Sequence, residues 1–197
     1  ATECAPIICY ADYQEFVAGS CGKPVVHMEV KIDSPDPENV PGEILARGLN
    51  VMLGYYKNEE ATAQTLDAEG WYHTGDLGLM DSEGNVFIKG RSKNMLLGAS
   101  GQNIYPEEIE DKLNSLAMVN ECVVVQRGEK LVGLVYPDFD EAATMRLNDS
   151  DLEKIMEENR QELNATQPPY CRLSAIEIVH EEFEKTPKKS IKRYLYK

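Results

Sequence analysis

The sequence has no internal repeat, no low-complexity segment and no apolar run approaching the length of a membrane span. Its first residues do not have the form of a signal peptide. Basic residues are few: 20 Lys and Arg face 34 Asp and Glu, for a formal charge of −14. A chain of this charge repels polyanions, which argues against nucleic-acid binding, and any nucleotide must be held by local contacts. The three histidines are scattered, and the five cysteines (Cys4, Cys9, Cys21, Cys122, Cys171) show no Cys-x-x-Cys spacing. Neither a metal cluster nor a disulfide framework is indicated, and free thiols in a cytoplasmic protein are expected. Peripheral contact with a membrane stays open, and no pattern sets an oligomeric state. A length of 197 residues holds one domain or two small ones.

The first half reads as β. Val26, Met28, Val30 and Ile32 alternate with His27, Glu29 and Lys31, as in a half-buried strand, and His27 falls in the polar register. Gly42 to Gly48 is a second strand after the loop Ser34-Pro35-Asp36-Pro37-Glu38-Asn39. Glu59 to Leu66 reads as a short helix with Asn58 as N-cap. Asp81-Ser82-Glu83-Gly84-Asn85 is a hairpin turn before the strand Asn85 to Lys89. The second half reads as α+β. Helices are predicted over 106–116 and 151–163, strands over 119–126, 131–136 and 174–179, and a short helix over 191–196.

Two stretches carry chemistry. Gly90-Arg91-Ser92-Lys93-Asn94 is a corner, followed by an apolar triplet, the small-residue loop Gly98-Ala99-Ser100-Gly101 and a helix opened by Pro106. Proline suits a first helical position, and Glu107, Glu108 and Glu110 suit the positive end of the helix dipole. The second stretch is Trp71-Tyr72-His73-Thr74-Gly75-Asp76-Leu77-Gly78. By residue chemistry alone, Asp76 reads as a turn aspartate accepting from local amides, and His73 as structural. Without further context, the corner reads as a linker between packed units.

Taken with Thr2-Glu3, these motifs resemble, in order, the C-terminal portion of an adenylate-forming enzyme: the superfamily of acyl-CoA synthetases, peptide-synthetase adenylation domains and beetle luciferases. The loop from Leu97 to Gln102 fits the long-chain fatty acyl-CoA ligase pattern better than the short-acyl one. The resemblance implies an α+β fold. Residues 1–90 would be a remnant small β-barrel subdomain of a large N-terminal domain, and 91–197 a mixed α+β C-terminal lid domain. The hinge would lie near 91–94, at Asn94. It implies that Thr2 contacts nucleotide phosphates and that Glu3 helps to hold Mg²⁺, a hard cation that wants a carboxylate. It assigns Asp76 to the ribose hydroxyls, with Arg91 beside it. Gly98, Ala99, Ser100 and Gly101 would line the pantetheine tunnel. Substrates would be fatty acid, ATP and CoA, with AMP as a product. The phosphate loop and acyl pocket lie upstream in that family, so the chain reads as an inactive fragment of a longer ligase. A carrier-loading adenylation domain and a silent binding module are the alternatives.

One departure stands out. The family ends on Thr-Pro-x-x-Lys, and aligned on Thr186-Pro187 and Arg193 the lysine position holds Ser190. Lys189, one position earlier, or Lys188 would substitute if the loop is re-registered. A solvated basic tail is the alternative for both.

Overall fold

A computed structural model describes residues 1–196, and the chain divides into two units, the first Ala1–Lys93 and the second beginning at Asn94. In the first unit, β1 (Cys9–Tyr10) and β2 (Lys23–Pro24) form a short antiparallel ladder. Four longer strands follow: β3 (Met28–Asp33), β4 (Gly42–Gly48), β5 (Tyr72–Met80) and β6 (Val86–Arg91). They form one antiparallel sheet in the order β3-β4-β5-β6. The alternation read from the sequence sets its faces, since Met28 and Ile32 are buried while Glu29, Lys31 and Asp33 are exposed. The strand starts later than expected. His27 takes a left-handed backbone at φ 66°, and Val26 is 83% exposed. The glycine-bounded strand 42–48 and the helix α1 (Glu59–Thr65) lie where they were read, and the Asn58 side chain accepts from Ala61 N at 3.0 Å.

The expected barrel is, among the described residues, an open sheet. β3 and β6 are its edges, and β6 spends its outer hydrogen bonds on a loop: Cys21 N donates to Val86 O at 2.8 Å, and Val86 N to Gly22 O at 2.9 Å. The loop thus covers the start of this edge at Val86, and β6 is not paired to β3.

The second unit begins with a two-residue hairpin, β7 (Leu96–Leu97) and β8 (Asn103–Ile104), then α2 (Pro106–Leu113). β9 (Val119–Arg127), β10 (Lys130–Pro137) and β11 (Leu173–Ile178) make a sheet in the order β11-β10-β9. β10 runs antiparallel to β9 and parallel to β11, and α3 (Phe139–Met145) and α4 (Asp149–Thr166) cross between β10 and β11. The valine-rich run of β9 is buried on both faces, which is why it reads as continuously apolar. Ile109, Leu113, Val124, Val135, Met156 and Leu173 fill one side, and Val123, Val125, Val132, Leu134 and Phe183 the other. Leu113 is fully buried, so Leu113→Ala would cost about 2–5 kcal/mol.

Several boundaries differ from the sequence reading, and α4 runs past residue 163 to Thr166. α2 stops at Leu113 rather than residue 116, because Ser115 N and Leu116 N turn back to Lys112 O and Leu113 O. α4 starts at Asp149, two residues early, where Asn148 and Asp151 form a reciprocal capping box. The predicted terminal helix is a 3-10 turn over Arg193–Leu195. α3 was not foreseen. It spans seven residues, opened by Asp138 accepting from Glu141 N at 2.9 Å. Among the described residues no helix is long and apolar enough to cross a membrane.

Candidate functional site

Asp76 and Arg91 face each other across the β5–β6 pair, and Arg91 Nε lies 2.9 Å from Asp76 Oδ1. Arg91 Nη1 also donates to Thr74 O at 3.1 Å. The pair is held at the rim of the sheet, with Arg91 59% and Asp76 27% exposed in their side chains. Asp76 therefore sits in a strand, not in a free turn, although the local chemistry foreseen for it is present: its N–H donates to Thr74 Oγ1 at 3.0 Å. Gly75 is required by its φ of 70° rather than by crowding, since an added Cβ would meet only Arg91 Nη1, at 3.7 Å. Thr74 Oγ1 donates to Ile44 O at 2.7 Å, and Glu43 braces the motif from β4. One Glu43 oxygen accepts from Gly75 N at 2.9 Å and the other lies 2.9 Å from His73 Nδ1, so His73 is a brace. A carboxylate and a guanidinium presented together can take a vicinal diol, one accepting and the other donating.

Thr2 and Glu3 form a 3-10 turn with Cys4, which is fully buried and anchors it. Glu3 O accepts from Met52 N at 2.7 Å, and its carboxylate accepts from the Tyr55 hydroxyl at 3.2 Å. Burial, and then the Glu3 charge, push both the Tyr55 and the Tyr72 phenols above their ordinary value, so both stay protonated as donors. Tyr72 lies four residues before Asp76 on β5, a span of roughly 13 Å at strand rise. The structure thus brings Asp76 and Arg91 into contact, while Glu3 belongs to a neighbouring tyrosine cluster of the same unit.

In the second unit, Gly98 to Gly101 turn the β7–β8 hairpin, closed by Gly98 N to Gln102 O at 2.8 Å and Gly101 N to Gly98 O at 2.9 Å. Ala99, Ser100 and Gly101 are exposed, and Gly101 has φ 82°. The loop borders a groove of about 460 Å³ that also meets Lys130, Tyr170 and Arg172. Asn94 Nδ2 donates to Glu107 Oε1 at 2.6 Å.

The C-terminal segment is a tight turn. Lys185 pairs with Ile191, Thr186 N donates to Ser190 O at 2.8 Å, and Lys189 N donates to Thr186 O at 2.8 Å. Lys189 takes φ 62°, a left-handed corner. Lys185 is paired with Glu121 at 2.7 Å and Lys192 with Glu184 at 3.1 Å. Lys188 and Lys189 are exposed, and among the described residues neither forms an ion pair. Arg193 anchors the turn. Its two terminal nitrogens donate to the two oxygens of Glu110, each at 2.6 Å, and Nη1 also reaches Val124 O at 3.0 Å. Glu110 accepts in addition from Val124 N at 2.6 Å. Burial pushes the Glu110 carboxyl above its ordinary value against the pull of Arg193 and Val124. Burial also opposes the Arg193 charge, but Glu110 holds that group protonated. A fork with both oxygens engaged is an ionised pair at neutral pH.

A family model described as "AMP-binding enzyme C-terminal domain" matches residues 93–196, and one described as "AMP-binding enzyme" matches residues 1–56. The chain belongs to the adenylate-forming, AMP-binding enzymes. A 2-succinylbenzoate–CoA ligase of Bacillus cytotoxicus is 40% identical over 139 residues, 68% of this chain and 28% of that relative. A long-chain-fatty-acid–CoA ligase of Escherichia coli O157:H7 is 42% identical over 129 residues, 63% of this chain and 23% of that protein. The chain therefore spans about a quarter of the length of these relatives. Among solved structures, an anthranilate CoA ligase in complex with anthranoyl-AMP superposes with a TM-score of 0.79 at 27% identity, covering 99% of this chain and 36% of that one.

Within this adenylate-forming chain, sequence reading missed Glu43, Glu107 and Glu110. Each braces a residue of the motifs from another element. Glu43 carried no signal. Glu107 and Glu110 were read as dipole partners of α2, and only their side-chain contacts show the second role.

Proposed function

We propose that this chain is the C-terminal part of an ATP-dependent acyl-CoA ligase acting on medium- to long-chain fatty acids. The observation that carries the reading is the Asp76–Arg91 pair at the sheet rim, its arginine exposed and its aspartate half-buried, braced by Thr74, Gly75 and Glu43. In the whole ligase, a carboxylate oxygen of the fatty acid attacks the α-phosphorus of ATP. Pyrophosphate leaves and an acyl-adenylate forms. The CoA thiolate then attacks the acyl carbonyl and AMP leaves. Asp76 accepts from the ribose hydroxyls and Arg91 donates to them, while Thr2 donates to phosphate oxygens. Glu3, which accepts from the Tyr55 hydroxyl, would be the carboxylate that holds Mg²⁺, an ion that when bound would neutralise phosphate oxygens. Residues 1–90 act as the edge of a large domain and 91–197 as a lid turning about Asn94. Gly98, Ala99, Ser100 and Gly101 line the path of pantetheine. The fatty-acid choice is supported by the loop length and by the Escherichia coli relative.

Lys189 is the charge that offsets the adenylation transition state, one position ahead of Ser190. Its left-handed backbone and its lack of an ion pair among the described residues support this. A preorganised donor of this kind is worth about 3–4 kcal/mol. The test is acid-dependent pyrophosphate release by the full-length protein across fatty and aryl acids, with and without CoA. Lys189→Ala should lower the adenylation rate by about 10²–10³, and fatty acids should outrun succinylbenzoate and coumarate. Ser190 favours a second reading, a silent binding module. No release with any acid, together with restoration by Ser190→Lys, would establish it in place of the ligase.

A further inference from the structure

We propose that Glu107 couples the side chain of Asn94 to Arg193, and through Arg193 positions the turn that carries Lys188, Lys189 and Ser190. The chain passes from its first unit to its second between Lys93 and Asn94. Asn94 Nδ2 gives Glu107 Oε1 a short bond of 2.6 Å, and that same oxygen lies 4.0 Å from Arg193 Nη2. Glu107 Oε2 is buried and has no hydrogen-bond partner among the described residues. Glu107 thus stands between one close donor and one cation just beyond hydrogen-bond range. Arg193 is committed to Glu110, and its backbone N–H donates to Ile191 O at 2.9 Å, on the residue that closes the turn against Lys185.

A partly buried carboxylate must find donors. While Asn94 donates, Glu107 leaves Arg193 to Glu110. A change of backbone dihedrals at the crossing point takes the Asn94 amide away, and Arg193 is then the nearest replacement for Glu107. The guanidinium is drawn between two carboxylates, the fork to Glu110 weakens, and the turn loosens. The orientation of Asn94 is in this way read out at residues 186–192. The importance of that turn for adenylation rests on the function proposed above; the coupling itself does not.

Amide hydrogen exchange on the 197-residue chain tests the coupling at Thr186, Lys189, Ser190 and Lys192, all of them donors in the turn. Asn94→Ala should accelerate these amides about tenfold, with no matching change in the global unfolding midpoint. In a Glu107→Gln background, which lacks the charge that draws Arg193, the same substitution should change them less than about twofold. Asn94→Lys restores a donor and should restore slow exchange. Equal acceleration in both backgrounds, or none in either, overturns the proposal. A second arm in the full-length protein separates the two readings: Asn94→Ala should slow adenylate formation more than thioester formation. Coupled exchange with both half-reactions unchanged would leave the coupling standing and sink the ligase role of the turn.

Discussion

Two arginine–carboxylate pairs with opposite settings lie in the two units. Arg91–Asp76 sits at a sheet rim, its arginine 59% exposed, with Arg91 Nε 2.9 Å from Asp76 Oδ1. Arg193–Glu110 is 20% and 10% exposed, makes two contacts of 2.6 Å, and is closed on both sides by the peptide groups of Val124. The same chemical couple does two different jobs. In water its attraction is largely cancelled, which leaves the rim pair able to trade partners with a ligand. When buried, neither member can lose the other without leaving a desolvated charge, so the pair acts as a fastener.

Breaking the fastener should have the largest effect. Arg193→Ala or Glu110→Ala should each destabilise the chain by about 3–5 kcal/mol in denaturant titration. The double replacement Arg193→Met with Glu110→Leu should recover part of that loss, because it removes both desolvated charges but takes away the partners of Val124 N–H and Val124 O. Arg91→Ala should cost under about 1 kcal/mol. Comparable losses at the two sites would break the contrast.

Ligand binding should reverse the ranking. Asp76→Ala should weaken AMP binding to the full-length protein by about 1.5–3 kcal/mol in calorimetry, the range for hydrogen bonds to a charged group. The brace behind it comes next. Glu43→Ala leaves the part-buried Gly75 N–H without its acceptor, and should cost about 1–2 kcal/mol of stability along with part of the AMP affinity.

The smallest effect sharpens the comparison from inside the second unit. Glu157 is exposed and its carboxyl is lowered from 4.5 to about 2, first by Arg160 and then by Gln161. A depressed carboxylate stabilises the fold above its unfolded value, so this contribution is complete above pH 4.5 and is lost as pH falls from 4.5 toward about 2. Melting temperature measured across that window should fall slightly less steeply in Glu157→Gln than in the parent chain. A large difference would mean that location in the second unit, rather than exposure, sets the strength of these pairs.

What could be read beforehand was local. Asn58 caps α1, Pro106 opens α2, and the alternation from Met28 to Ile32 sets the faces of β3, because each depends on neighbours within a few residues. The motifs that carry the family were legible for a different reason: their order and residue types stand in the chain itself, and the family read from them is the one that the match shows. α3 escaped because a run of seven residues after Asp138 is too short for a helical period to register. The barrel was overread, because whether two edge strands meet is not written in either of them.

The sequence by itself determined the family, the acidic character, the order of the motifs and most of the strands and helices, all of which follow from composition and short-range pattern. Tertiary structure alone decided which carboxylates stand behind them. Glu43 reaches Gly75 across 32 residues, and Glu110 reaches Arg193 across 83. Contacts at such separations are made by chain crossings rather than by propensity, and a glutamate destined for a buried fork reads in sequence like one destined for water.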